Sequence, residues 1–161
     1  SLSGKEDLIP GHANAILLTP RVAGRFRGQC AEFCGLQHAH MALDVQVEAP
    51  AAFARWQQRQ LMPAATPASS TARYGADVFA QTACASCHAI RGTDAGSHVG
   101  PDLTHLASRR TLAAGALPMD RGALAAWIAD PQHFKPGANM PAVPLSPREA
   151  AGVVDYLTGL Q

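Results

Sequence analysis

The segment that most constrains this chain is 28–41, because it crowds several metal-binding side chains together. Cys30 and Cys34 are spaced C-x3-C across a turn that contains a glycine, and His38 and Met41 follow at four and seven residues beyond Cys34. Thiolate and thioether ligands favour copper(I), zinc or iron–sulfur centres, and imidazole suits copper and zinc. The spacing therefore predicts a metal-binding loop.

The residues on both sides of this loop alternate in polarity as β-strands do. Phe26 and Cys30 share one parity before the loop, and apolar residues at 41, 43, 45 and 47 alternate with more polar ones after it. This period of two predicts strands over 25–30 and 41–48. We expect Cys30 and Met41 at strand ends on the buried face. A further strand over 13–19 and a short helix beginning at Pro50 are also predicted.

A structural disulfide between Cys30 and Cys34 in an exported protein is the alternative interpretation of this loop. The complete string C-x-E-x-C-G-x-x-H-x-x-M argues against it, because the string resembles the binuclear copper A loop of cytochrome c oxidase subunit II. The resemblance runs from about residue 8 to residue 56. It implies a cupredoxin-like Greek-key β-sandwich.

The resemblance also implies a role for each matching residue. Cys30 and Cys34 would be the two bridging thiolates, and Glu32 would bind through its backbone carbonyl. His38 would complete the same copper, and Met41 would be a weak ligand on the other copper.

One ligand of that family has no match in this chain. The family's first histidine would fall a few residues before Ser1, and neither His12 nor His40 lies at its position. We therefore expect a fragment cut just past the missing ligand, with only part of the sandwich in residues 1–62. On its own that part is expected to be poorly stable, swapped or oligomeric, because it would expose a sheet edge.

A second site follows in the other half, where Cys84-x-x-Cys87-His88 is a c-type haem attachment signature. The two thiols add to the haem vinyl groups, and His88 becomes the proximal iron ligand. The alternative is a thioredoxin-like C-x-x-C, which is typical of a βαβ context. The surrounding sequence favours helices and loops, and thus haem.

An electron-transfer haem needs a sixth ligand, which is commonly methionine. Met140 lies in a Pro/Gly-rich stretch over 135–141 between two predicted helices, and such a loop is free to cross the far haem face. Met119, immediately before a helix cap, is the other candidate, and either methionine could instead fill the core. We predict Met140 as the ligand.

The rest of the second half is predicted to be helical. Helices are expected from a cap at Thr71, over 103–112, over 121–129 from a cap at Asp120, and from Ser146 to the C-terminus. The last has the strongest start signal, since Ser146 precedes a proline and Glu149 follows three residues later. Residues 63–70 lack charge and large side chains, so they predict a flexible linker.

Residues 71–161 resemble a class I cytochrome c domain. A Gly100-Pro101 pair after the attachment site matches that family, in which the proline carbonyl accepts the imidazole N–H of the proximal histidine. Gly75, Phe79 and Tyr156 resemble the family's crossing of terminal helices. Trp127 is either a haem-pocket aromatic or a core side chain.

Composition limits the remaining possibilities. Thirteen basic and twelve acidic residues give a net charge of +1, which does not indicate nucleic-acid binding. Mean hydropathy is −0.02, and no stretch reaches the roughly 18 apolar residues of a membrane helix. We therefore expect any signal or membrane anchor to have been removed. Arg109 and Arg110 are expected on a solvated helix face. The other histidines are interpreted as surface or structural residues: His12, His40, His98, His105 and His133.

The two modules together resemble subunit II of caa-type haem–copper oxidases. That resemblance implies a β + α two-domain chain, with residues 1–62 for copper A, 63–70 as linker and 71–161 for haem c. It also implies an electron relay at the periplasmic or outer face of a bacterial membrane, from quinol–cytochrome c reductase or a soluble cytochrome to oxidase subunit I. No catalytic residue is predicted in this chain. The alternatives are the electron-accepting subunit of a nitric oxide or nitrous oxide reductase, and a soluble periplasmic electron carrier or copper-handling protein.

Overall fold

A computed structural model describes residues 2–161, in which strands come first and helices follow. The elements, in chain order, are β1 Gly24–Gln29, β2 Ala42–Val47, α1 Pro50–Leu61, α2 Ser70–Gln81, α3 Ala83–Cys87, β3 Thr111–Leu112, β4 Leu117–Pro118, α4 Arg121–Ala129, α5 Pro131–Phe134 and α6 Pro147–Thr158. Single 3₁₀ turns lie at His38–His40, Leu106–Ser108 and Ala113–Gly115. The predicted β-then-α order is confirmed.

The first module is an antiparallel pair of strands. Phe26 lies opposite Val45 and Gly28 opposite Leu43, so the predicted apolar parity does share one face of the sheet. That face has little cover, since Leu43 is 60% exposed and Met41 is 42% exposed. The expected burial of Met41 is therefore wrong, and the described residues supply only these two paired strands to this sheet.

The predicted strand over 13–19 is wrong. This segment pairs with no strand of the described chain, and Leu17 is 93% exposed. Its run Ile16-Leu17-Leu18 shows no alternation, so neither side of it could face a sheet consistently.

The core lies in the second module, where α2 crosses α6. A Cβ on Gly75 would lie 1.9 Å from the carbonyl oxygen of Gly152, so only glycine allows this approach. Phe79 and Tyr156 pack edge to face at the same crossing, with ring centroids 5.9 Å apart. The predicted helix crossing is confirmed. The core consists of buried apolar side chains: Val78, Phe79, Ile90, Ala95, Leu103, Leu106, Leu112, Leu124, Ile128, Val153, Val154, Tyr156, Leu157 and Leu160.

Side-chain caps fix where these helices begin. Ser146 and Glu149 form the predicted capping box on α6, and Asp120 accepts from the N–H of Ala123 on α4. The predicted Thr71 cap is wrong, because Ser69 accepts from the N–H of Ala72 and starts α2 earlier. Ser69, two residues before Thr71, is the residue whose hydroxyl reaches a free helix N–H.

The predicted helix over 103–112 is also wrong. Only the turn Leu106–Ser108 forms, after which Thr111–Leu112 pairs with Leu117–Pro118. Leu103, Leu106 and Leu112 all reach the core, and the three-residue step from Leu103 to Leu106 imitates one turn of helix. Arg109 and Arg110 are exposed, as expected, but they follow the turn rather than lie on a helix face.

The segment predicted as a flexible linker is docked at its start. The N–H of Ala64 donates to the carbonyl of Arg91 at 2.8 Å, and the Arg91 guanidinium donates to the carbonyl of Gln60 at 2.8 Å. The ring Nε2 of His105 lies 3.1 Å from the carbonyl of Met62. These bonds hold residues 60–64 against the helical module. The boundaries at 62 and 71 stay a prediction.

Candidate metal centres

The loop between β1 and β2 brings the predicted copper ligands together. The Sγ atoms of Cys30 and Cys34 are 3.5 Å apart, and Cys34 Sγ is 3.8 Å from His38 Nδ1 and 3.6 Å from Met41 Sδ. Cys30 Sγ lies 3.1 Å from the carbonyl oxygen of Glu32. All five residues predicted from the copper A resemblance therefore converge in one place.

These distances fit a shared metal better than a disulfide. A disulfide holds its sulfurs about 2.05 Å apart, and both Cys30 and Cys34 are free thiols. A metal bound at about 2.3 Å from sulfur and about 2.0 Å from nitrogen separates those two atoms by roughly 3.5 Å in tetrahedral geometry. The separation of Cys34 Sγ from His38 Nδ1, 3.8 Å, is close to that spacing.

Two features of the local backbone make the loop. Gly35 has φ +115°, a conformation that glycine adopts without strain and that turns the chain between Cys34 and the 3₁₀ turn. The side-chain amide of Gln29 donates to the carbonyls of His38 and Met41, at 3.2 and 3.0 Å. Gln29 thus ties together the two ends of the loop that carry the imidazole and the thioether.

The two thiols also influence each other. The hydrogen bond with Cys30 raises the pKa of the Cys34 thiol above its usual range, with smaller contributions in the same direction from desolvation and from the neighbouring charge of Cys30. A bound metal reverses this effect, since a coordinating thiol is deprotonated outright.

The converging set contains one histidine. Among residues 2–161, the cluster of cysteine, histidine and carboxylate ligand atoms within 4.8 Å of one another consists of Cys30, Cys34 and His38. His12 and His40 are exposed and lie outside it. Two thiolates, one imidazole, one carbonyl and one thioether fit one copper fully, and the second copper only in part.

The haem attachment residues lie on α3 and just after it. Cys84 and Cys87 are half-buried free thiols on this short helix, and the N–H of His88 donates to the carbonyl of Cys84 at 2.9 Å. The helix thus presents both sulfurs and the imidazole from one turn of chain, as haem c attachment requires.

Pro101 and Gly100 fix the orientation of the His88 ring. Nδ1 of His88 lies 2.7 Å from the carbonyl oxygen of Pro101. A carbonyl can only accept, so Nδ1 carries the proton and Nε2 keeps its lone pair for a metal. A Cβ on Gly100 would lie 2.6 Å from this ring, so the glycine leaves the space that the imidazole occupies. The tautomer and the space both fit a proximal haem ligand.

Both methionines considered as the sixth ligand are half-buried against the core. Met140 lies in an irregular loop between α5 and α6, as the sequence predicts. Met119 follows β4, and its N–H donates to the carbonyl of Arg110 at 2.9 Å, which fixes it within the hairpin. The loop placement favours Met140. Trp127 is half-buried on α4, and its role stays a prediction.

The structure gives the remaining histidines their places. His105 is buried, and its Nδ1 lies 2.9 Å from the carbonyl of Gln161 while its Nε2 faces Met62. This is a structural role. The others are exposed on the surface: His12, His40, His98 and His133.

Sequence reasoning missed three glutamines that organise the two sites. Gln29 bridges the copper loop, Gln132 bonds the backbone around Met140, and Gln37 donates to the carbonyl of Pro136 at 3.1 Å across the two modules. The position of Gln29 directly before Cys30 was a weak signal. Nothing in the sequence pattern marks the other two, because a polar side chain in a loop has many possible partners.

Comparison with known proteins supports both assignments. The sequence model of Cytochrome c matches residues 72–161, which is more than half of the chain. The chain belongs to the cytochrome c family. The model of the periplasmic domain of cytochrome c oxidase subunit II matches residues 1–48. The predicted combination of these two families is therefore confirmed. The matches support haem c in the second module and copper A in the first, and they indicate an electron-transfer role.

Two of the relatives match this chain over its whole length, and a third matches part of it. It is 35% identical over 162 residues to cytochrome c oxidase subunit 2 of Alkalihalophilus pseudofirmus, covering 100% of this chain and 46% of the relative. It is 32% identical over 171 residues to the protein of the same name from Bacillus subtilis, covering 100% and 48%. A probable cytochrome c oxidase subunit 2 of Streptomyces coelicolor is 50% identical over 46 residues, covering 29% of this chain and 14% of the relative.

The chain spans about half the length of the first two relatives. Within residues 2–161, no helix is both long enough and apolar enough to cross a membrane. The matched subunit II domain is described as periplasmic, which indicates the outer face of the membrane for this part of the chain.

Proposed function

We propose that this chain is the electron-transfer part of subunit II of a cytochrome c oxidase. Electrons would come from a donor such as quinol–cytochrome c reductase or a soluble cytochrome, and would leave to oxidase subunit I. Haem c and copper A, when bound, each accept and release single electrons. The oxygen-reducing site would lie in another subunit.

The observation that carries this proposal is the presence of two assembled donor sets in one chain. Neighbouring sulfur, carbonyl and imidazole ligand atoms of the copper loop are 3.1–3.8 Å apart. In the other module His88 is held in the tautomer that leaves Nε2 available for iron. Soft ligands on a short, tied loop change geometry little when an electron arrives, which suits fast transfer.

A hydrogen bond between the loops that carry the two ligand sets supports a direct route for electrons from one site to the other. Gln37, the residue before His38, donates to the carbonyl of Pro136, in the loop that carries Met140. The docked start of the linker, held by Arg91 and His105, limits how far the modules can separate. A carrier or copper-handling protein would have no need for such a fixed arrangement.

The test is to prepare the chain in a host that attaches haem, add copper, and record absorption and electron spin resonance spectra. We expect a c-type haem band from this chain, and a mixed-valence copper signal once the second histidine ligand is supplied. Cys34→Ser should abolish the copper signal and leave the haem band, whereas Cys87→Ser should weaken haem attachment and leave the copper signal.

A haem band with no copper signal in the unsubstituted chain would mean that these ligands do not hold the binuclear centre by themselves. Restoring the signal in a longer chain that supplies the second histidine would then retain the proposal. Absence of both spectra in the longer chain would refute it.

A further inference from the structure

The loop that carries Met140 has little regular structure of its own. Residues 135–146 form no helix or strand, and Gly137 within them has φ +85°. A loop of this kind loses conformational entropy at every residue when one shape is fixed. Something outside the loop must therefore favour the shape that presents Met140.

One side chain on α5 makes three hydrogen bonds to the backbone of this loop. The Nε2 of Gln132 donates to the carbonyl of Ala138 at 2.7 Å and to the carbonyl of Met140 at 3.3 Å. Its Oε1 accepts from the N–H of Gly137 at 2.9 Å. The amide thus satisfies both donors and acceptors between residues 137 and 140, and one of its bonds ends on Met140 itself.

The element that carries Gln132 is itself fixed. The side chain of Asp130 caps α5 by accepting from the N–H of His133, and Pro131 is buried at the first position of the helix. The N–H of Lys135 closes the helix on the carbonyl of Pro131 at 2.9 Å. Gln132 therefore projects from a short but anchored turn, which makes it a rigid support for the loop.

We propose that Gln132 is a positioning residue for the sixth haem ligand: its amide holds the 137–140 backbone in the shape that keeps Met140 available to the iron. This inference rests on the proposed function and extends it to a residue that does not touch the haem. The same loop carries Pro136, whose carbonyl accepts a hydrogen bond from Gln37 of the copper loop. The loop conformation that Gln132 stabilises is therefore also the one that contacts the copper loop.

The test uses the haem-loaded full chain and competition for the sixth position. In the ferric protein, imidazole binds only when Met140 has left the iron, so its apparent affinity reports the fraction of protein with Met140 released. Gln132→Leu keeps the bulk of the side chain and removes all three hydrogen bonds. Each of these hydrogen bonds contributes only a modest net free energy at an exposed site, so the expected effect is the loss of all three contributions together.

We expect Gln132→Leu to tighten imidazole binding about tenfold, equivalent to roughly 1.4 kcal/mol, and to weaken the absorption band of methionine-ligated ferric haem. Gln132→Glu keeps the acceptor for Gly137 but loses both donors to carbonyls, so it should tighten imidazole binding at least about threefold. Met140→Ala removes the competing ligand and therefore gives the tightest imidazole binding to be expected.

Gln81→Leu is the matched control, because Gln81 is exposed and makes no side-chain hydrogen bond among the described residues. It should leave imidazole affinity unchanged. Equal imidazole affinity in Gln132→Leu, Gln132→Glu and the unsubstituted chain, with the methionine band intact, would overturn the inference and leave the proposed function standing. A Met140→Ala protein that retains the band would overturn the ligand assignment and this inference together. Failure to attach haem at Cys84 and Cys87 would instead refute the proposed function, on which the inference rests.

Discussion

The first module, with the copper loop between β1 and β2, and the second module, with the haem attachment residues among its helices, are built in opposite ways. They are called the copper module and the haem module below. In the described chain every buried apolar side chain of the core follows residue 71, whereas the large exposed apolar side chains, apart from Val99, precede residue 63. The haem module surrounds its site with a packed core. The copper module forms its site from a twelve-residue loop, 30–41, tied by its own hydrogen bonds. A metal site can therefore be assembled locally where little apolar surface is buried, provided that the loop chemistry is right.

The largest difference between the modules should appear when a leucine is truncated in each. Leu124 on α4 is 2% exposed, so Leu124→Ala should lower the free energy of unfolding by about 2–5 kcal/mol. Leu43→Ala, on the open face of the sheet, should change it by no more than about 0.5 kcal/mol. Denaturant unfolding of the haem-loaded chain measures both. Similar losses at the two positions would show that the sheet face is covered in solution.

The helix crossing offers the next test. Gly75→Ala would push a Cβ against the carbonyl of Gly152 and should cost roughly 1–3 kcal/mol, because backbone cannot move aside as a side chain can. Gly122→Ala on α4 is the control, since the nearest atom to its Cβ is Asp120 Oδ1 at 3.4 Å. That control should be neutral or slightly stabilising. Equal losses would place the effect in helix propensity rather than in the crossing.

The start of α6 links stability to pH. Ser146→Ala should cost about 1 kcal/mol by removing the cap. The hydrogen bonds with Ser146 lower the pKa of Glu149 below its usual range. Because the folded value is the lower one, this contribution is present above the ordinary glutamate pKa and is lost as pH falls through the lowered value.

We therefore expect the stability difference between the unsubstituted chain and Glu149→Gln to shrink on acidification from about pH 7 to about pH 3. Thermal unfolding across that range measures it. A stability difference that grows toward acid would contradict a lowered pKa for Glu149 in the folded chain.

The smallest effect concerns the segment between the modules. Arg91→Ala removes the bonds to the carbonyls of Gln60 and Met62, while the Ala64 bond to the Arg91 carbonyl survives. Global stability should change by less than about 1 kcal/mol. Amide exchange and proteolysis within 60–70 should accelerate several-fold.

Arg55→Ala on α1, which also removes an arginine, serves as the comparison. Unchanged cleavage in Arg91→Ala would mean that the other contacts are sufficient to dock the linker.

The sequence by itself was enough to predict the ligand chemistry of both sites and the local structure with the clearest sequence patterns. Ligand spacing in the copper loop, the C-x-x-C-H motif, the period of two around the loop, and the caps at Asp120 and Ser146 are all set by neighbours a few residues apart. Each could be predicted because its physical cause is local.

Only the tertiary structure decided the features whose partners are distant in sequence. Residues 103–112 become a turn and a hairpin strand because their leucines pack against a core made by other helices. In the turn that follows, Ala113 and Ala114 adopt φ +52° and +59°, although alanine does not favour such values. The docked linker and the clamp of Gln132 on the Met140 loop have the same origin. Hydrogen bonds and burial depend on which groups the fold brings within reach, and a local pattern contains no record of that.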